Sequence, residues 1–118
     1  MVDIDTFRQM ALSFPEMTEG PHFDKTSFKV GKKVVVTLNV KENRCCLKLS
    51  EIDQDLFSTF DRTVIYPVPN KWGKQGWTLV SLQKVNEETL LDALTAAYCE
   101  VAPKKLADLV RPKYDDQF

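Results

Sequence analysis

Residues 66–82 read YPVPNKWGKQGWTLVSL, and they constrain the fold more than any other stretch. They hold both tryptophans, two of the six prolines and two of the four glycines. Pro67 and Pro69 exclude helix and hold the backbone extended. Asn70, Lys71, Trp72, Gly73 and Lys74 follow as a basic, turn-rich loop. From Gly76 onward Trp77, Thr78, Leu79, Val80, Ser81 and Leu82 are mostly strand formers. A rigid loop carrying Lys71, Trp72 and Lys74 therefore feeds a strand that enters the core. Trp77 is expected to be largely buried and Trp72 exposed.

Local signals place the other elements around that stretch. Asp3 or Asp5 caps a first helix whose apolar stripe is Phe7, Met10, Ala11 and Phe14, and Pro15 ends it. Residues 16–23 read as an acidic loop with a Gly20-Pro21 turn and the single histidine, His22. Thr26, Phe28 and Val30 alternate with Ser27 and Lys29 as a strand. Gly31-Lys32 supplies a two-residue hairpin turn. The returning strand, residues 33–40, has Val34, Val36, Leu38 and Val40 on one face. A third strand, residues 45–49, points Cys45, Leu47 and Leu49 inward and Cys46 and Lys48 outward. Ser50 caps a second helix, expected to bury Ile52, Leu56, Phe57 and Phe60. Residues 64–66 form a short strand. Asn86 caps a third helix with Leu90, Leu91, Leu94 and Ala97 or Tyr98 on its apolar face. Pro103 either kinks it or opens a short helix reaching Val110. The order helix, three strands, helix, two strands, helix predicts an α+β two-layer sandwich, an antiparallel sheet with helices on one face.

Charge is segregated along the chain although the net charge is −1. Residues 25–48 hold seven bases and one acid, and residues 64–85 hold three lysines and no acid. The helical segments and their flanks carry the acidic excess. Helices on one face would leave a positive sheet side and a negative helix side. Two physical readings of this segregation stay open. Lysines on edge strands and turns block sheet aggregation, and acids in first turns suit helix dipoles. The same lysines, set among Trp72 and Tyr66, also suit phosphate contact with base stacking.

Three cysteines, Cys45, Cys46 and Cys99, with no C-x-x-C pair, fit a reduced, cytoplasmic protein. The acidic, amphipathic N-terminus is neither signal nor transit peptide, and no apolar run reaches membrane-spanning length. There is no P-loop, GxGxxG, HExxH or GxSxG motif. Glu51, Asp53 and Asp55 diverge around a helix and read as dipole partners rather than metal ligands.

The segments ALSFPEMTEG, HFDKTSFKVGKK, LKLS, YPVPNKWGKQGWTLVSL and LLDALTAAY, in that order, resemble the MmcQ/YjbR family over residues 7–110. Its most specific parts are F-K-V-G-K, L-K-L and K-W-G…G-W-T. The resemblance implies a frataxin-like (CyaY-like) fold and a DNA-binding role, and brings no catalytic residues. The resulting expectation is a single domain over residues 1–118 with a frayed tail at 111–118. It is a cytoplasmic, non-enzymatic module without cofactor, metal or membrane contact. Lys29, Lys33, Lys48, Lys71 and Lys74 would contact phosphate and Trp72 would stack on a base. The alternative is a protein- or small-ligand-binding module using the same aromatic loop.

Overall fold

The computed structural model describes residues 1–111; the tail expected to fray lies, from residue 112, outside the described residues. The elements run α1 (Ile4–Leu12), β1 (Met17–His22), β2 (Lys25–Val30), β3 (Lys33–Asn39), β4 (Arg44–Lys48), α2 (Glu51–Phe60), β5 (Ile65–Pro67), α3 (Lys71–Lys74), β6 (Trp77–Ser81), α4 (Glu87–Val101) and α5 (Lys104–Val110). Six strands pair antiparallel in the order β1-β2-β3-β4-β6-β5. The chain is the expected α+β arrangement of an antiparallel sheet with helices.

Side-chain caps start α1, α2 and α4. The Asp3 carboxylate accepts from the Thr6 amide at 2.7 Å, which also holds the Asp3 carboxyl below its ordinary range. Ser50 Oγ accepts from Asp53 N at 3.1 Å and Asn86 Oδ1 from Thr89 N at 2.7 Å. Pro103 separates α4 from α5 rather than kinking one helix.

The core lies between the sheet and helices α1 and α4. Phe7 and Ala11 of α1 and Leu90, Ala93, Leu94, Ala97 and Tyr98 of α4 are buried. They pack with Phe28, Val36, Leu38, Cys45, Leu47 and Val80 from the strands. The Phe7 and Phe28 rings meet edge to face at 5.6 Å. Phe14 stacks on Tyr98, whose hydroxyl donates to the Pro15 carbonyl at 2.6 Å. Leu91, expected on the buried face of α4, is exposed.

Four local expectations are corrected. The acidic loop is strand β1, paired along its whole length with β2. Pro21 has no amide to give, and an edge strand tolerates that because one side of it needs no ladder. The second edge, β5, likewise ends in Pro67. Next, β3 carries a bulge: Phe28 pairs with Val36 but Lys29 pairs with Val34. The extra residue, Val35, joins Val36 in the core, while Val34 turns to the opposite face and Val40 leaves the strand for an exposed turn. Helix α2 buries Gln54 and Ser58, and leaves Ile52, Leu56 and Phe60 exposed. Finally, the loop after Pro69 closes into the helical turn α3. Asn70 caps it, its Oδ1 accepting from Trp72 N at 2.9 Å.

Candidate nucleic-acid interface

Strand register sorts the side chains of the sheet face opposite α1 and α4 into three cross-strand rows. Paired residues share a face, so each row follows from the pairing alone. The central row runs Gly20, Ser27, Thr37, Cys46, Leu79, Tyr66. Its middle members are small, and Ser27 and Thr37 are buried although no helix among the described residues covers them. The face is therefore concave, with this row as its floor. On one side lie His22 opposite Lys25 and Asn39 opposite Arg44 opposite Ser81. On the other lie Thr18 opposite Lys29 opposite Val34, and Lys48 opposite Trp77.

This strand face carries His22, Lys25, Lys29, Arg44 and Lys48 and not one Asp or Glu. Glu19 has the opposite phase and pairs with Arg8 of α1 at 3.0 Å. Among the described residues Lys25 reaches one carboxylate, the exposed Asp24 at 3.6 Å, a pair of small energetic weight. Arg44 meets no carboxylate within 4.0 Å among the described residues. Positive potential on this face is thus left largely uncompensated.

The hollow has a volume of about 570 Å³ and two chemically distinct walls. Val34, Val68, Pro69, Trp72, Trp77 and Leu79 make the apolar wall. His22, Lys25, Asn39 and Arg44 make the polar wall, with Thr37 and Cys46 between. Trp77, at the start of β6, is half-buried rather than largely buried. It faces this hollow, and Thr78 and Val80 take the core positions instead. Trp72 is 50% exposed. Burial pushes the Cys46 thiol up to about 11 against the opposing pull of Arg44 and Lys25.

Backbone contacts hold the aromatic wall in place. The Gln54 amide, buried in α2, donates to the Gly73 carbonyl at 2.9 Å, the Thr78 hydroxyl at 3.1 Å and the Trp77 carbonyl at 3.3 Å. A Cβ on Gly73 would collide with the Val68 carbonyl oxygen, so only glycine lets α3 fold back on the Val68 backbone. Gly76, at φ 106°, turns the chain into β6 and accepts from Leu49 N at 2.9 Å. The K-W-G…G-W-T segment is therefore a braced platform that sets Trp72 and Trp77 on one wall.

Of the six residues expected from sequence, only Trp72 lines the hollow. Lys71 flanks it, its Nζ 5.9 Å from the centre of the Trp72 ring. Lys74 is exposed on the same turn. Lys29 shares the open face in the row of Val34. Lys48 starts on that face opposite Trp77, but its Nζ reaches 3.9 Å from Glu100 on α4. Lys33 sits exposed at the hairpin end, opposite the core residue Val30. The structure adds His22, Lys25, Arg44 and Cys46. Lys25 was legible, two residues before Ser27 in the same alternation. Arg44 reads as a turn residue until the register with Asn39 is known. Beside Lys25, Phe23 tips the β1–β2 hairpin at φ 58° and 96% exposure, with its ring against His22. A bulky residue in that conformation is uncommon.

Among the described residues no group of three His, Cys, Asp or Glu is placed to hold a metal ion. No helix among them is long and apolar enough to cross a membrane.

Comparison with known proteins bears on the fold and the family. The crystal structure of the Deinococcus radiodurans protein DR2400, which carries a DUF419 domain, superposes with a TM-score of 0.76 at 21% identity. The match covers 93% of this chain and 88% of that one. No curated protein matches the sequence. The YjbR family model matches residues 12–100, a span from the end of α1 to the last turn of α4 that contains every strand. On that match the chain belongs to the YjbR family.

Proposed function

We propose that the concave sheet face binds single-stranded nucleic acid, DNA in the first instance, as a non-enzymatic module. The observation that carries this reading is the pairing of an acid-free cationic row with a braced tryptophan wall across one hollow. Phosphates lie along Lys25 and Arg44, with Lys29 and Lys71 extending the track. Unpaired bases stack on Trp72 and Trp77. Single strands offer both a backbone charge and free base faces, whereas a duplex keeps its bases stacked on each other. The near-neutral net charge is no obstacle, because the strands of this face carry no acid.

A second reading is favoured by the size and largely apolar wall of the hollow, which fall in the range of small-molecule sites. In that reading one mononucleotide-like anion fills the same hollow. The two differ in how affinity depends on ligand length.

The test is a fluorescence titration with oligo(dT) of increasing length at several salt concentrations. For four phosphate contacts the logarithmic salt slope should be about −3. Lys25→Glu with Arg44→Glu should abolish most binding and flatten the slope by about 1.4. Lys71→Glu with Lys74→Glu should have the smaller effect. Trp72→Ala should weaken binding by about 1–3 kcal/mol with little change in slope. Binding that does not rise beyond one nucleotide supports the mononucleotide reading. Absence of binding at low salt rejects both.

A further inference from the structure

Helix α2 buries two polar residues and exposes an apolar stripe. The residues facing the protein are Gln54 and Ser58 together with Phe57, which packs against the core, and the buried Ser58 hydroxyl has no hydrogen-bond partner among the described residues. Facing out, beside Glu51, Asp55 and Thr59, is an apolar stripe of Ile52, Leu56 and Phe60, one turn apart and 73%, 63% and 81% exposed. Gln54 accounts for the inner face, because its amide holds α3 and β6. Nothing in the fold requires the outer face to be apolar, and solvated helix faces are ordinarily charged. Beside this stripe, α2 and α4 enclose a groove of about 740 Å³. Its apolar floor includes Leu56, Phe57, Phe60 and Ala96, and its rim carries Asp53, Asp92 and Glu100. Glu100 is met by Lys48 Nζ at 3.9 Å, and the base on the rim, Arg111, lies 3.9 Å from Asp108, which leaves Asp53 and Asp92 without an ion-pair partner among the described residues.

We infer that this groove docks a cationic amphipathic helix of a partner protein. Apolar anchors spaced about one turn apart on the incoming helix meet the stripe on α2, as in other helix-in-groove complexes. Its lysines or arginines meet the acidic rim. Charge selects this occupant over two others. A second copy docked on the same patch would bring one acidic rim, with Asp53 and Asp92, against another. The chain's own residues 112–118, PKYDDQF, follow Arg111 at the groove but bring two aspartates and one lysine, the wrong sign for that rim. The groove lies on the helix side of the sheet, away from the hollow, so both can be occupied together.

The probe is a fluorescent peptide of about 18 residues with a leucine face and a lysine face. Its control is a scrambled peptide of the same composition. The full chain should bind the amphipathic peptide with a micromolar Kd and the scrambled one at least about tenfold more weakly. Leu56→Ser with Phe60→Ser should weaken binding about tenfold or more, and Asp53→Asn with Asp92→Asn severalfold, more so at low salt. Trp72→Ala should leave the Kd unchanged. All these sites are exposed or half-exposed, and a melting curve checks that each variant is folded. Equal binding of both peptides, or equal binding by the Leu56/Phe60 variant, overturns the inference. So does a sedimenting dimer that Phe60→Ser dissolves, which assigns the groove to a second copy. Peptide binding seen only after Tyr114→Ser with Phe118→Ser assigns it to the chain's own terminus and also overturns it.

Discussion

Gln54 shows how one polar side chain governs the site. Its amide reaches three oxygens on two different elements, and all three lie in buried or half-buried surroundings. Gln54→Leu keeps the volume and removes that donor, while Gly76 N still donates to the Gly73 carbonyl at 3.0 Å and Val68 N to the Trp77 carbonyl at 3.1 Å. The expected loss is about 1–2 kcal/mol in a urea melt, the net worth of hydrogen bonds lost by carbonyls that each keep a second donor. An unchanged urea midpoint would mean that the amide does not help hold α3 on β6. Cys46 gives a pH handle at the same scale. Its pKa is raised from 9.0 to about 11, chiefly by burial. Below pH 9 both folded and unfolded chains keep the proton, so this contribution is fully present. Above it the unfolded chain deprotonates first, and stability falls toward pH 11 by up to about 1.4 kcal/mol per unit. Buried Cys45, raised further, acts in the same direction. Melting temperatures from pH 8 to 11 should therefore decline less steeply for Cys46→Ser than for wild type. Identical profiles would mean that the thiol is solvated.

At the scale of elements, legibility followed the range of the interactions that decide each one. Caps at Asp3, Ser50 and Asn86 are local, and the sequence shows them directly. The Gly31-Lys32 turn is local as well, with Gly31 at φ 62°. Strand β1 is not local. Glu19, Gly20 and Pro21 have weak strand character, and only pairing with β2 extends them. The bulge at Val35 is equally invisible to alternation, because it depends on how β2 and β3 are matched across the hairpin. Helix α2 shows the strongest override. Its apolar spacing predicts a buried stripe of Ile52, Leu56 and Phe60, but the helix is turned so that the Gln54 amide meets α3 and β6 instead. Those contacts lie 19 to 24 residues away in sequence, beyond the reach of local spacing. The same limit applies to the site. Trp72 and Lys71 are legible as a basic aromatic segment. Lys25 is legible too, in the alternation that places Ser27, whereas the roles of Arg44 and Trp77 appear only when β3, β4 and β6 are set in register.

For the whole molecule, the segregation of charge along the chain becomes a segregation in space. The open sheet face has no acid on its strands, while the groove between α2 and α4 has three acids on its rim. The hollow itself is composite. Its cationic wall comes from β1 to β4, a run of strands neighbouring in sequence, and its aromatic wall from residues 68–79. The two meet where β6 pairs with β4 across the intervening α2, β5 and α3. Such non-local pairing closes a longer loop than any hairpin in β1 to β4 and is expected to form later in folding. The hollow is therefore complete only once β6 has docked. A ligand spanning both walls acts as a clasp across that seam, stabilising the docked state by mass action. Amide hydrogen exchange should then slow on ligand binding throughout residues 65–81, including amides that never touch the ligand, while the β1–β2 hairpin changes little. Protection confined to the contact residues would mean that the seam does not open separately. If it does, occupancy of the site and completion of the fold are one equilibrium, and a cell that withdraws the ligand also loosens the last strand to join the sheet.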